Sequence, residues 1–146
     1  MRISLLAPEV ANPSAPRGPS TPVKVLVLLG HPRKSSLCGA LAEAYAGGAM
    51  EAGAEVRCLA VADMTFNPDV IVPSPRDQPA EASISEAMEL VAWADHLAFV
   101  FPTWWGTMPA ALKGFFDRVL VPGFAFEEHE EDEGWDKLLI GKSAHL

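Results

Sequence analysis

The run Val23-Lys-Val-Leu-Val-Leu-Leu29, followed at once by Gly30-His31-Pro32, constrains this chain more than any other stretch. It is nearly continuous in apolar residues and rich in β-branched ones, so it cannot lie half-exposed in a strand with alternating faces. A strand of this kind is buried on both faces, which is the condition of a parallel sheet covered by helices above and below.

The residues that follow support this reading. Ser35 and Ser36 are placed to cap a helix whose apolar face is expected to use Leu37, Ala40, Leu41, Ala44 and Tyr45, with Gly53 ending it. A second strand is predicted over 55–61. Residues 65–79, TFNPDVIVPSPRDQP, contain four prolines and hold no long regular element, so they read as a surface excursion. Ser83-Ile-Ser-Glu86 has the form of a capping box, and Ile84, Ala87, Met88 and Val91 form a helical stripe behind it. A third strand is predicted over 96–101. Then Leu112, Phe115, Phe116, Val119 and Leu120 repeat at helical spacing behind Pro109. Residues 127–133, EEHEEDE, read as a solvated loop, and 143–146 as the beginning of a fourth strand.

Strand, helix, strand, helix, strand, helix, strand predicts an α/β protein, a doubly wound parallel sheet in three α/β/α layers. At 146 residues one domain is expected. Residues 1–22, rich in proline, read as a disordered extension outside a domain over 23–146 that stops as its fourth strand begins. A sheet ending there leaves that strand's outer backbone groups unpaired.

Composition excludes several functions. A net charge of -8 without a Lys/Arg cluster argues against nucleic acid as a partner. Cys38 and Cys58, with no CxxC or Cys/His spacing, indicate neither a disulfide framework nor zinc, and fit a reducing cytoplasm. No stretch has the roughly 18 apolar residues of a membrane span. His129 among its carboxylates lacks the regular spacing of a metal site. No metal ligand and no catalytic residue are identified.

In a doubly wound sheet a ligand binds beyond the carboxyl ends of the strands, where strand order reverses. Two loops fall there, GHPRKSS and PTWWGTMP. In the first, Ser35, Ser36 and the amides at a helix start, with Arg33 and Lys34 nearby, suit a phosphate; equally, the serines serve as caps and the basic pair is solvated. Gly30 is the only glycine before Lys34-Ser35, so a Walker loop fails on spacing, and G-x-G-x-x-G is absent. His31 reads either as a phosphate or cofactor contact or as a hydrogen-bonded turn residue. Cys38 is either activated by the helix start or a buried, inert thiol. In the second loop, Trp104, Trp105 and Gly106 put two flat walls beside an approachable backbone, which suits an aromatic ligand such as an isoalloxazine; the alternative is that the indoles plug the sheet edge. Trp93 and Trp135 read as structural.

GHPRKSSLCGALAEA, FNPD at 66–69, WADHLAFVFPTWWGTMPAALKGFFDRVLVPGFAF and LLIGKSAHL together resemble the flavodoxin-like NAD(P)H dehydrogenase (quinone) family, from about Val23 to Leu146. The resemblance implies a flavin, FAD or FMN, that accepts a hydride from NAD(P)H and passes two electrons to a quinone. It places His31, Ser36, Leu37 and Cys38 on the phosphate side of the flavin, and Thr103, Trp104, Trp105 and Gly106 at its ring. Ala125, Phe126 and Glu127 are placed at the acceptor site, completed by the partner subunit of a homodimer. Cys38 stands where many relatives carry Asn, which removes one polar contact. The family's assisting Tyr and His side chains belong to segments beyond Leu146, so flavin binding by these residues alone is expected to be weak or absent. Two other readings share the fold: a flavodoxin-type electron carrier, and an ancillary subunit of a potassium efflux system.

Overall fold

The computed structural model describes residues 21–129 and 134–146. Most of the proposed extension and residues 130–133 of the acidic run lie outside the described residues. Strand β1 is Lys24–Leu29, helix α1 Leu37–Glu51, β2 Glu55–Ala60, α2 Ala82–Trp93, β3 His96–Val100 and α3 Ala110–Val119. Three short strands follow: β4 Phe126–Glu128, β5 Trp135–Lys137 and β6 Ser143–His145.

The main sheet runs in the order β2-β1-β3-β6, and each of its pairings is parallel. β1 is the inner strand anticipated from its sequence. Leu26 and Leu28 face α2 and α3 on one side, in a core completed by Ile84, Ala87, Val91, Leu112, Phe115 and Val119. Val25, Val27 and Leu29 face α1 on the other. The result is the three-layer arrangement, with β1 sealed from water on both faces.

The face that α1 buries differs from the one predicted. Gly39, Ala42 and Ala46 are buried, whereas Leu37 is 76% and Leu41 53% exposed, Ala40 and Ala44 are exposed and Tyr45 is half-buried. The sheet supplies the bulk here through Val25, Val27 and Leu29, so the helix approaches closely on its smallest residues. Large side chains at a buried position would hold it away. Gly53 ends the helix as expected, at φ +87° with its amide donating to the Met50 carbonyl.

The expected capping box does not form. α2 starts at Ala82, and Ser83 instead donates from Oγ to the Thr65 carbonyl at 2.7 Å, fastening the helix to the excursion. Ile84, Ala87 and Val91 are buried as the stripe predicts. Residues 127 and 128 are not loop: they belong to β4, which pairs antiparallel with β5. The period-2 segment is too short and too acidic to announce itself, and the cross-strand partner makes it a strand.

β6 lies parallel beside β3 and is held by side chains as well as by its ladder. Ser143 Oγ is 2.7 Å from His96 Nδ1, and the Tyr45 hydroxyl 3.0 Å from His96 Nε2. Lys142 Nζ donates to the carbonyls of Ala92 and Ala94, satisfying the end of α2. Among the described residues no helix is long and apolar enough to cross a membrane.

Candidate functional site

Strand order reverses between β1 and β3, since the chain leaves β1 for β2 on one side and returns past it to β3 on the other. The loops after these two strands therefore diverge and leave a crevice at their carboxyl ends. The Gly30 amide donates to the Val100 carbonyl at 2.8 Å, which holds the two loop bases together.

In the first loop, Ser36 is the N-cap of α1, and its Oγ accepts from the Gly39 amide at 3.1 Å. The Ala40 amide is taken by the Ser36 carbonyl. This leaves the Leu37 and Cys38 amides as the donors that the first helical turn presents outward. Lys34 pairs with Asp63 at 2.9 Å, both half-exposed, so it is a solvated ion pair more than a poised cation. His31 accepts from the Arg33 amide through Nδ1 at 2.9 Å, and its ring meets Trp104 edge-on, 5.5 Å between centroids. Of the two roles considered for it, the turn role is the one seen, and the ring also joins the two loops.

The second loop is a tight turn. Trp104 and Thr107 exchange both backbone hydrogen bonds, at 2.8 and 3.0 Å, with Trp105 at φ +53° and Gly106 at φ +80° between them. Two consecutive positive φ values are those of a type I′ turn. Gly106 takes this shape without strain, while Trp105 carries a Cβ into it. Trp105 is fully exposed and Trp104 43% exposed, so neither plugs the sheet edge. A Cβ added at Gly106 would meet nothing within 4 Å. Open space beside a glycine, flanked by two indoles whose turn leaves the Trp105 and Gly106 peptide groups unpaired with each other, fits a planar heteroaromatic ring.

A cavity of about 480 Å³ opens from Thr103 along β3, lined by Leu41, Tyr45, Phe101 and His145 among others. Of the large side chains of α1, Leu41 and Tyr45 border it.

The contacts of Ala125, Phe126 and Glu127 are made with the hairpin and the proline-rich excursion. Ala125 bonds to Val121 and Leu138, Phe126 packs edge-on against Trp135, and Glu127 pairs with Arg76 at 2.5 Å. Hydrogen bonding to Glu127 pushes the Arg76 guanidinium up from its already high ordinary value. His129, considered earlier among its carboxylates, lies 3.1 Å from Asp136 across the β4–β5 hairpin.

Sequence reasoning missed Arg118. It falls three residues after Phe115, inside the apolar stripe of α3, and a charge at such a position is the signal that could have revealed it. Its side chain is 1% exposed and bonded to Glu81, Asn67 and Pro79. The Asn67 amide above all, and then Glu81's own amide and Arg118, hold the Glu81 carboxyl below its ordinary 4.5, against an opposing effect of burial. Because the folded value is depressed, the stabilisation is complete above the unfolded value and is lost as pH falls through the folded one. Glu81→Gln is therefore expected to lower the melting temperature at pH 7, by about 3 °C for about 1 kcal/mol given the partial exposure of the carboxylate. The two proteins should converge only as pH falls through the depressed folded value; thermal melts from pH 7 into the acid range check this, and a constant difference would contradict it.

A family model described as flavodoxin-like fold matches residues 23–146. The chain belongs to that family. A ribosyldihydronicotinamide dehydrogenase-like protein of Penicillium crustosum is 33% identical across 85% of this chain and 56% of its own length. Rat NAD(P)H dehydrogenase [quinone] 1 is 34% identical across 70% of this chain and 45% of its own. Among solved structures, NAD(P)H:quinone oxidoreductase from Methanothermobacter marburgensis superposes with a TM-score of 0.64 at 32% identity, covering 76% of this chain and 59% of the other. Smu.1420 from Streptococcus mutans gives 0.71 at 34%, covering 84% and 65%. The chain thus spans about half the length of the curated relatives it matches.

Proposed function

We propose that this chain carries the flavin-binding part of an NAD(P)H:quinone oxidoreductase that works as a homodimer in the cytoplasm. The observation that carries the reading is the Trp104–Thr107 turn, which holds two exposed indoles and an unobstructed Gly106 at the β1/β3 crevice, facing His31. Relatives named for NAD(P)H and quinone support it.

In this reading the Leu37 and Cys38 amides and the Ser36 cap receive the flavin's phosphate, with the α1 dipole favouring the negative charge. Bound flavin, FMN or FAD, supplies the transfer of two electrons from NAD(P)H to a quinone. Thr103, Trp104, Trp105 and Gly106 orient the ring, and the indoles exclude water from one side of it. His31 keeps Trp104 in place. Ala125, Phe126 and Glu127, held by the hairpin and Arg76, serve the acceptor side of the partner's site.

Titration of the chain with FMN, followed by flavin fluorescence, is expected to show weak, saturable binding that Trp104→Ala abolishes. NADPH should bleach the bound flavin and menadione restore its colour. Flavin fluorescence unaffected at any protein concentration would overturn the reading; bleaching without quinone turnover would favour an electron carrier. Trp105→Gly should move stability and binding in opposite directions. Removing the Cβ from positive φ relieves roughly 1 kcal/mol of strain, while losing the stacking wall should weaken FMN binding on the order of tenfold. Melts and titrations on the same sample check both signs.

A further inference from the structure

Among the described residues the β4–β5 hairpin pairs with no strand of the main sheet, and a two-stranded hairpin by itself is marginal in water. Something must set its position. Phe124 and Leu139, which flank it, pack on the main core, but a groove of about 620 Å³ lined by Val70, Pro73, Phe116, Leu120, Pro122 and Phe126 leaves the side facing the proline-rich excursion unfilled.

Among the described residues, Arg76 carries the polar contacts that cross this gap. Arg76, midway along the excursion, pairs with Glu127 and donates from Nε to the Pro122 carbonyl at 3.3 Å. Its guanidinium also lies over the turn at Gly123, where an added Cβ would come within 3.3 Å of Nη2. The excursion in turn is closed by Arg118. Nη1 donates to the Asn67 carbonyl at 2.6 Å, and Nη2 to the Pro79 carbonyl at 2.9 Å and to Glu81 Oε2 at 2.8 Å, so one buried guanidinium grips both ends. Gln78 braces the interior through the Ile71 amide and the Asp69 carbonyl. On the helix side, Gly114 admits Pro68, to whose Cβ an added methyl would come within 2.4 Å.

We propose that Arg118 and Arg76 are positioning residues: a two-part strut that runs from α3 through the excursion and sets where Ala125, Phe126 and Glu127 stand. The assignment of that segment to the acceptor rests on the function proposed above; the strut itself does not. α3 begins directly after the Trp104–Thr107 turn and carries Arg118 near its end. One rigid helix therefore references both the ring-binding turn and the acceptor segment, so their separation is fixed by the helix length and not by the hairpin. Arg is required at 118 because a single planar fork serves a carboxylate and two carbonyls; a lysine ammonium cannot span them.

Amide hydrogen exchange by NMR on the whole chain tests the strut. Arg76→Met is expected to speed exchange of the Gly123, Phe124 and Ala125 amides about tenfold, and Arg118→Lys to do so while also exposing the Ile71 and Asp69 amides, with the Trp104 and Thr107 amides unchanged in both. The reversed pair Arg76→Glu with Glu127→Arg should restore slow exchange at 123–125. Unchanged exchange at 123–125 in Arg76→Met, or a rise shared equally by the Trp104 and Thr107 amides, would overturn the strut; should Arg118→Lys not fold, Arg76→Met and the reversed pair decide. For the acceptor, Arg76→Met should raise the menadione KM about fivefold with kcat and the FMN dissociation constant within about twofold. Faster exchange with an unmoved KM would overturn the positioning of the acceptor and leave the strut standing. Failure of the unaltered chain to bind FMN would instead overturn the proposed function, and the exchange rates would still decide the strut.

Discussion

Gly39→Ala is expected to destabilise the protein and empty the candidate flavin site, although alanine is the better helix former. A Cβ at residue 39 would stand 2.0 Å from the Lys34 carbonyl oxygen and 3.1 Å from its carbon. Ordinary C···O contacts lie near 3.3 Å or beyond, so that carbonyl must retreat by roughly 1 Å. The same carbonyl accepts the Ser36 amide, and Ser36 caps the Gly39 amide, so the displacement opens the first loop and frees the cap. Overpacking costs about 1–3 kcal/mol and a lost cap about 1 kcal/mol, against a gain of about 0.5–1 kcal/mol from replacing a helical glycine. A fall in melting temperature of about 5 °C or more is expected, with FMN affinity down tenfold or more because the displaced loop is the one proposed to receive the phosphate. Gly48→Ala, in the same helix but with open space around its Cβ, should raise stability by about 0.5–1 kcal/mol. Parallel melts and FMN titrations of the two variants give opposite signs if the close approach at residue 39 is what matters; equal effects would show that it is not.

Phe115→Ala should have the largest effect on folding. The ring is 1% exposed, at the centre of the core shared by β1, α2 and α3, and meets Phe116 edge-on at 5.7 Å. Truncation forfeits the burial of the ring and leaves a cavity, together about 3–5 kcal/mol, out of a total of about 5–15 kcal/mol for a domain. A melting temperature lower by more than about 10 °C is expected, with a denaturant midpoint shifted in proportion and an unchanged slope. A drop of only a degree or two would mean that the aromatic cluster can collapse around the gap.

Much of the fold was legible because its signals are local. The continuous run in β1 states that both faces are buried, and β1 is inside the sheet with α1 on one side and α2 and α3 on the other. The stripe in α3 is buried at Leu112, Phe115 and Val119, and Ser36 caps α1. The capping box at Ser83 fails because a serine hydroxyl has several carbonyls and amides within reach, and Thr65 is brought near only by the fold. The buried face of α1 departs from its periodicity for a related reason: periodicity finds where large apolar residues lie, whereas a helix that must approach a filled sheet buries its smallest ones. At the site, the two loops and the pair of indoles were readable from their place after β1 and β3. The type I′ turn was not, since nothing in Trp-Trp-Gly-Thr announces a positive φ at a tryptophan.

By itself the sequence determined the strands and helices of the main sheet, their alternation and hence a parallel sheet with a crevice at its carboxyl edge, because hydrophobic period and turn residues act over a few neighbours; the β4–β5 hairpin lay outside that signal. Only the tertiary structure decided that Arg118 holds both ends of the excursion, that Arg76 reaches Glu127, and that Gly39 and Gly114 are tight while Gly106 is open. These are contacts between residues as many as 51 positions apart. Their energies depend on burial and distance, and neither exists until the chain has folded.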